Sequence, residues 1–300
     1  MELEYSNVFC FRGNLNNNKE TYEQIGKLYN FLVSCKTQKV VLDFSKVSFI
    51  AANLFAVLGA CLDYSINKNC HKIFVKGLNN TIKQLIARNG FNRYFRIESI
   101  DDNYRNSIRY EIFQANTEQL TDFERYLILY VFDHKEMPAM SDSYRNLIID
   151  NFLEIFNNVI DHAEAESVYV CGQFFHKKKI LDISIVDIGL SFDQKINKYF
   201  KDKGLKSPEK CIEWAIMSGN STKTETPGGL GLTVLMEFLR YNAGSFTIVS
   251  GREFYCYDKE KAITQDISQF FPGTIVTIRI DLSDEKLYLY NERNDETIFF

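Results

Sequence analysis

Several short stretches of this chain carry residue types at spacings that could do chemistry. Glu154, Asn158 and His162 recur every fourth residue in NFLEIFNNVIDHA. On a helix they fall on successive turns of one polar strip, where a carboxylate and an amide can address the same ligand. Taken alone, that spacing also fits a solvated helix face. Asp187-Ile188-Gly189 closes an apolar run. A carboxylate at a strand end can accept a hydrogen bond from an amino group, and a glycine two residues on leaves room for a flat ring, although Asp-x-Gly is equally a common turn signal. The polar stretch NSTKTETPGGLGL holds Ser221, Thr222 and Lys223, then Gly229, Gly231 and Leu232 at the start of an apolar helix pattern. Glycine allows positive φ and leaves its N–H uncovered, so donors gather at the positive end of the helix dipole, an arrangement that suits phosphate. A flexible turn before an ordinary helix is the plainer alternative. Finally, Gly273-Thr274 opens a late strand.

The elements that must position these groups are legible around them. Tyr144, Leu147, Ile148, Phe152, Ile155, Phe156, Val159 and Ile160 form one apolar stripe of a long helix. Ser167 to Phe175 and Ile180 to Val186 are strand-like and flank the polar HKKK, which predicts an antiparallel hairpin. SPEKCIEWAIMSG predicts a helix with Ser207 as cap and Pro208 in its first turn. GSFTIVSG, EFYCYD and GTIVTIRI are strands. Upstream, KVVLDF and KIFVKG are strand-like, whereas NLFAVLGACLDYSINK and NTIKQLIARNGF repeat at helical spacing, the second stopping at Gly90. That alternation predicts an α/β domain over residues 1–110. Between the halves, QLTDFERYLILYVFD predicts a connector helix within residues 111–140, with Thr121 and Glu124 in capping-box spacing. Residues 141–300 make the second domain.

Composition narrows the function classes. Three hundred residues with 45% hydrophobic content suit two globular domains. A formal charge of -4 without a basic block favours neither nucleic acid nor an anionic membrane as partner. No apolar run reaches the roughly 18 residues of a membrane span and the start lacks a leader pattern, so a cytoplasmic location is expected. Seven scattered cysteines without a CxxC pair argue against a disulfide framework and a zinc site.

In order along the chain, a helix with Glu154 and Asn158, a strand ending DIG, a loop STK into GGLGL and a strand opening GT together resemble the GHKL ATPase superfamily, over about residues 141–280. NNVIDHA, with His162 four residues after Asn158, looks most like the anti-sigma-factor serine kinases. The first domain, on VVLDFSKVSFIAANLFAVLGA and NGFNRYF, resembles the STAS domain. The implied fold class is α/β, a STAS-like domain followed by a two-layer α/β sandwich of the Bergerat ATP-binding type.

The resemblance implies ATP and Mg2+ as cofactors. Asn158 would offer its amide oxygen to Mg2+, Asp187 would read the adenine amino group with support from Thr274, and Gly189 would let the ring approach. Gly229 and Gly231 would admit phosphates, Lys223 would neutralise them, and Glu154 would polarise the attacking hydroxyl or water. His162, Ser221, Thr222 and Leu232 complete the implied cofactor site. Two departures stand out: Ser191 occupies a position where many members have glycine, and Ala51 and Ala52 replace the acid and acceptor serine of phosphorylatable STAS domains. The implied activity is a serine/threonine kinase or ATPase switch acting on a STAS-like or sigma-factor-like protein partner, with a homodimer expected. A nucleotide-gated binding module with little catalysis is the alternative.

Overall fold

Alternating strand and helix patterns in the first hundred residues fold into parallel strands crossed by helices, β1 Val8–Cys10, α1 Lys19–Ser34, β2 Lys39–Asp43, α2 Leu54–Asn69, β3 Lys72–Lys76 and α3 Asn80–Asn89. The structure is a computed structural model that describes residues 7–217, 219, 220, 231–291 and 296–299. β1, β2 and β3 pair in parallel, in that order. Asn79 caps α3 by accepting from the Ile82 amide, and Gly90 ends it at φ 84°, a left-handed conformation that glycine adopts without strain.

The remaining chain builds a second sheet. Its strands are β4 Ser107–Gln114, β5 Ser167–Phe175, β6 Ile180–Asp187, β7 Ser245–Asp258 and β8 Lys261–Asp281, antiparallel in the order β4-β5-β6-β8-β7. One face carries α4 Leu120–Leu127, α5 Asp142–Asn158 and α8 Gly231–Asn242, whose core includes Phe123 and Phe156 with ring centroids 4.9 Å apart. α6 Phe192–Asp202 and α7 Cys211–Ile216 lie between β6 and α8 in the chain, and β9 Tyr288–Asn291 pairs with β10 Glu296–Phe299. The coarse expectation of an α/β protein holds; the first sheet is parallel and the five-stranded sheet antiparallel.

The two halves share a core. α2 is buried continuously from Leu54 to Leu62, because one side meets the parallel sheet and the other meets β5 and β6. Tyr169, Cys171, Val186, Val249, Phe271 and Ile275 lie in the same cluster as the first-half helices. Close approach is built in at two glycines: a Cβ on Gly59 would stand 2.1 Å from the Tyr110 hydroxyl, and one on Gly26 would stand 2.6 Å from Gln269 Cβ. Polar groups stitch the seam. Asn17 Nδ2 donates to Asp182 Oδ2 at 3.0 Å and the Tyr22 and Thr277 hydroxyls meet at 3.1 Å, while Arg279 holds Asp182 from the neighbouring strand of the same sheet through Nε and Nη2 at 2.7 and 2.8 Å. Position 110, the predicted end of the first domain, lies inside β4, an edge strand of the second sheet.

Three elements differ from the sequence expectations. The connector helix starts earlier, with a 3-10 turn at Thr117–Gln119 capped by Asn116, and ends in a π-helical turn at Ile128–Phe132, so Thr121 is not its cap. α7 begins at Cys211, not after Ser207, because the buried Glu253 carboxylate accepts from the Cys211 and Ile212 amides at 3.0 and 2.9 Å. GSFTIVSG and EFYCYD are one strand, β7, bent by register shifts around Gly251.

Candidate functional site

Antiparallel pairing brings Asp187, the last residue of β6, opposite Thr274 of β8. Asp187 is 2% exposed, and its Oδ1 has no hydrogen-bond partner among the described residues. Burial pushes its carboxyl up to about 8, although the backbone N–H of Thr274 donates to it and works in the opposite direction. A buried polar atom without a partner costs about 1–3 kcal/mol, and a donor brought to this oxygen would recover that cost.

Glycines frame this carboxyl. Gly273 sits at φ 80°, and a Cβ there would come within 2.3 Å of Asp187 O, 2.5 Å of Asp187 Oδ1 and 2.6 Å of the Gly189 amide. Only glycine fits. Gly189 has a different neighbour from the flat ring expected of it: a Cβ would lie 2.2 Å from the carbonyl of Ala163. The same carbonyl accepts from the Leu190 amide at 2.6 Å. The loop after β6 is thereby tied to the end of α5.

α5 starts with Ser141, whose hydroxyl accepts from the Tyr144 amide, and its last turn loosens into a π-helical turn at Val159–Ala163. Such turns widen the backbone and are frequent at functional sites. Glu154 and Asn158 lie on α5 and His162 lies in the π turn, all three half-buried. The shift from α to π winding begins just after Asn158, so His162 does not continue the regular four-residue strip that its spacing predicts.

Ser191 and Ser250 complete the surroundings. Ser191 stands at the start of α6 and forms a capping box with Gln194: its amide donates to Gln194 Oε1 at 3.0 Å and its hydroxyl reaches the same oxygen at 2.9 Å. The departure from glycine therefore has a local reason. Ser250, buried on β7, donates to the Gly273 carbonyl at 2.7 Å, accepts from the Phe192 amide at 3.0 Å and lies 3.2 Å from the Thr274 hydroxyl oxygen. Sequence reasoning missed Ser250, since a serine in a strand carries no signal until the pairing is known, and Gly273, expected to open a strand, lies instead inside the long β8.

Gly231 and Leu232 open α8, which packs against α5. Ser221, Thr222, Lys223 and Gly229 lie outside the described residues. The structure thus brings Asp187, Gly189 and Thr274 together at one sheet end and ties that end to the helix bearing Glu154 and Asn158. Among the described residues no group of three or more His, Cys, Asp or Glu side chains could hold a metal ion, and no helix is long and apolar enough to cross a membrane. No protein-family model matches the chain, and no curated protein matches it significantly in sequence.

Proposed function

We propose that this chain is an ATP-binding regulatory protein whose second half is a GHKL-type, Bergerat-fold nucleotide domain of the anti-sigma-factor serine/threonine kinase or ATPase-switch kind, and whose first half is a STAS-like unit. The observation that carries the reading is the buried Asp187 Oδ1, unpartnered among the described residues and framed by Gly273 and Gly189 where the end of β6 meets the interior of β8. An adenine amino group is a donor of the right chemistry for that oxygen. Nucleic acid and membrane surfaces are poor matches for a chain of formal charge -4.

The donor set also suits Mg-ATP. Asn158 supplies a neutral amide oxygen of the kind Mg2+ accepts alongside phosphates and water, and bound Mg2+ would neutralise phosphate charge. Glu154, one turn earlier, orients and deprotonates the attacking hydroxyl or water. Thr274 steadies Asp187 through its backbone N–H. The substrate is a protein partner of STAS-like or sigma-factor-like type, the location cytoplasmic and the assembly a homodimer.

Calorimetry on the full chain with ATP and GTP, each with and without Mg2+, tests this. Affinity for ATP that exceeds affinity for GTP and falls on Asp187→Asn supports the assignment; equal, unaltered affinities refute it. Labelled ATP with a cell extract then separates activities. Label on a protein identifies a kinase, label as free phosphate an ATPase, and binding without transfer the nucleotide-gated module.

A further inference from the structure

Asn151 lies on α5 one turn before Glu154, is 4% exposed and forms no part of the proposed nucleotide site. Its amide is committed in two directions. Nδ2 donates to the Leu147 carbonyl of its own helix at 2.7 Å, and Oδ1 accepts from the Leu235 backbone N–H of α8 at 3.1 Å. Around it α5 and α8 meet through apolar side chains of one core, Ile148, Ile155, Leu235 and Phe238 among them. A polar side chain in such a place is costly unless its bonds are made, and a leucine of similar volume would suit the surroundings.

The partner amide is informative. In a helix beginning at Gly231, the Leu235 N–H ordinarily closes on the Gly231 carbonyl, the acceptor four residues back. Asn151 therefore grips the first turn of α8 from the side. Because each residue advances a helix by about 1.5 Å, a slip of α8 by a single residue along α5 would break that bond.

We propose that Asn151 is a positioning residue, which holds the amino end of α8 at a fixed depth relative to Glu154 and Asn158. The proposal rests on the ATP-binding reading above. Phosphate groups at the amino end of α8 depend on this spacing, and misplacement by about 1 Å is enough to cost two orders of magnitude in rate. The base-reading end, built on β6 and β8, does not depend on it. Asn151 thus supports phosphate recognition without touching nucleotide.

The experiment compares Mg-ATP with adenosine on the full chain by calorimetry. Asn151→Leu is expected to reduce the affinity gained from the triphosphate at least tenfold while adenosine affinity stays within twofold of wild type. Asn151→Asp, which keeps an acceptor for the Leu235 amide, is expected to retain most of that gain. In wild type, hydrogen exchange at Leu235 should slow on adding Mg-ATP and not on adding adenosine. Parallel loss for both ligands, or loss for neither, overturns the proposal while leaving ATP binding intact. If Asn151→Leu does not fold, the wild-type exchange decides, and an unmoved Leu235 amide overturns it. Failure of wild type to bind Mg-ATP at all removes the ATP reading and this proposal together.

Discussion

Asn53 Nδ2 donates to Ser184 Oγ at 2.8 Å and to Asn17 Oδ1 at the same distance, joining the start of α2 to the middle of β6. Ser184 in turn meets Thr277 on β8 at 2.7 Å, so one chain of hydrogen bonds runs from the first half into two strands of the second sheet. Asn53 is fully buried. Replacing it with alanine removes the donor from both partners, and leaving buried groups unsatisfied costs about 1–3 kcal/mol. The melting temperature of Asn53→Ala should drop by several degrees, and an unchanged value would show that this seam is not tight.

The second half is not expected to stand alone. Cutting the chain to residues 136–300 removes β4 and uncovers Tyr169, Cys171, Val186, Val249, Phe271 and Ile275. At about 1.5–3 kcal/mol per large apolar side chain, the loss is on the order of 10 kcal/mol, comparable to the whole stability of a domain. That fragment should aggregate on expression, whereas the full chain should give a cooperative melt. A soluble, cooperatively folding fragment would contradict the shared core.

Asp187 sets the pH behaviour. Its folded value of about 8 lies above the ordinary 3.8, so between these pH values the unfolded chain releases a proton that the fold retains. Its contribution to stability is complete below about pH 4, is lost as pH rises and levels off above about 8. Asp187→Asn should therefore stabilise the protein more at pH 8 than at pH 5. Ligand binding has the opposite slope: an amino donor favours the carboxylate, so ATP affinity should increase towards pH 8 in wild type and be flat and weak in Asp187→Asn. Thermal melts and calorimetry across that range check both signs.

Glu154 and Asn158 should separate cleanly. Glu154→Gln preserves shape and hydrogen bonding but removes the general base, so turnover or transfer should fall by roughly a hundredfold or more with ATP affinity little changed. Asn158→Ala should weaken Mg-ATP binding itself. If wild type and Glu154→Gln turn over ATP at the same negligible rate while still binding it, the gated binding module replaces the enzyme.

Ala51 and Ala52 are 4% and 1% exposed, packed in the segment that Asn53 secures. Mass spectrometry after incubation with Mg-ATP should find no phosphate between Lys39 and Leu62. A stoichiometric phosphoserine there would fall on Ser45 or Ser48, both exposed, and would overturn this expectation.

Local patterns explain what was legible. The β5–β6 hairpin is legible as two apolar runs flanking the polar HKKK, both strands being buried at nearly every position, and α5 follows its near-four apolar period up to the π turn. β4 and α1 carry comparable signals, with Ile108 and Tyr110 alternating inward and Tyr22, Ile25, Leu28 and Leu32 on one helix stripe. Other features depend on distant partners. α7 starts where it does because Glu253, about forty residues later, takes its first amides. Gly189 is needed because Ala163 arrives beside it, and no local rule relates the two. Asn151 carries no local signal for the same reason, its partner being the Leu235 amide of α8.

The packing of α1 against β8 bears on the order in which the chain is made. Tyr22 waits for Thr277, Glu23 for the Ser268 amide and Asn30 for Gln269, separations of 255, 245 and 239 residues. During synthesis the first half emerges complete in its own strands and helices, yet one flank of α1 stays wet until nearly the last strand has left the ribosome. Contacts so far apart in sequence are slow to close, because the loop entropy is lost before any bond rewards it. Nascent chains stalled before residue 261 should expose that flank to a holding chaperone or to protease, and chains released after residue 281 should not.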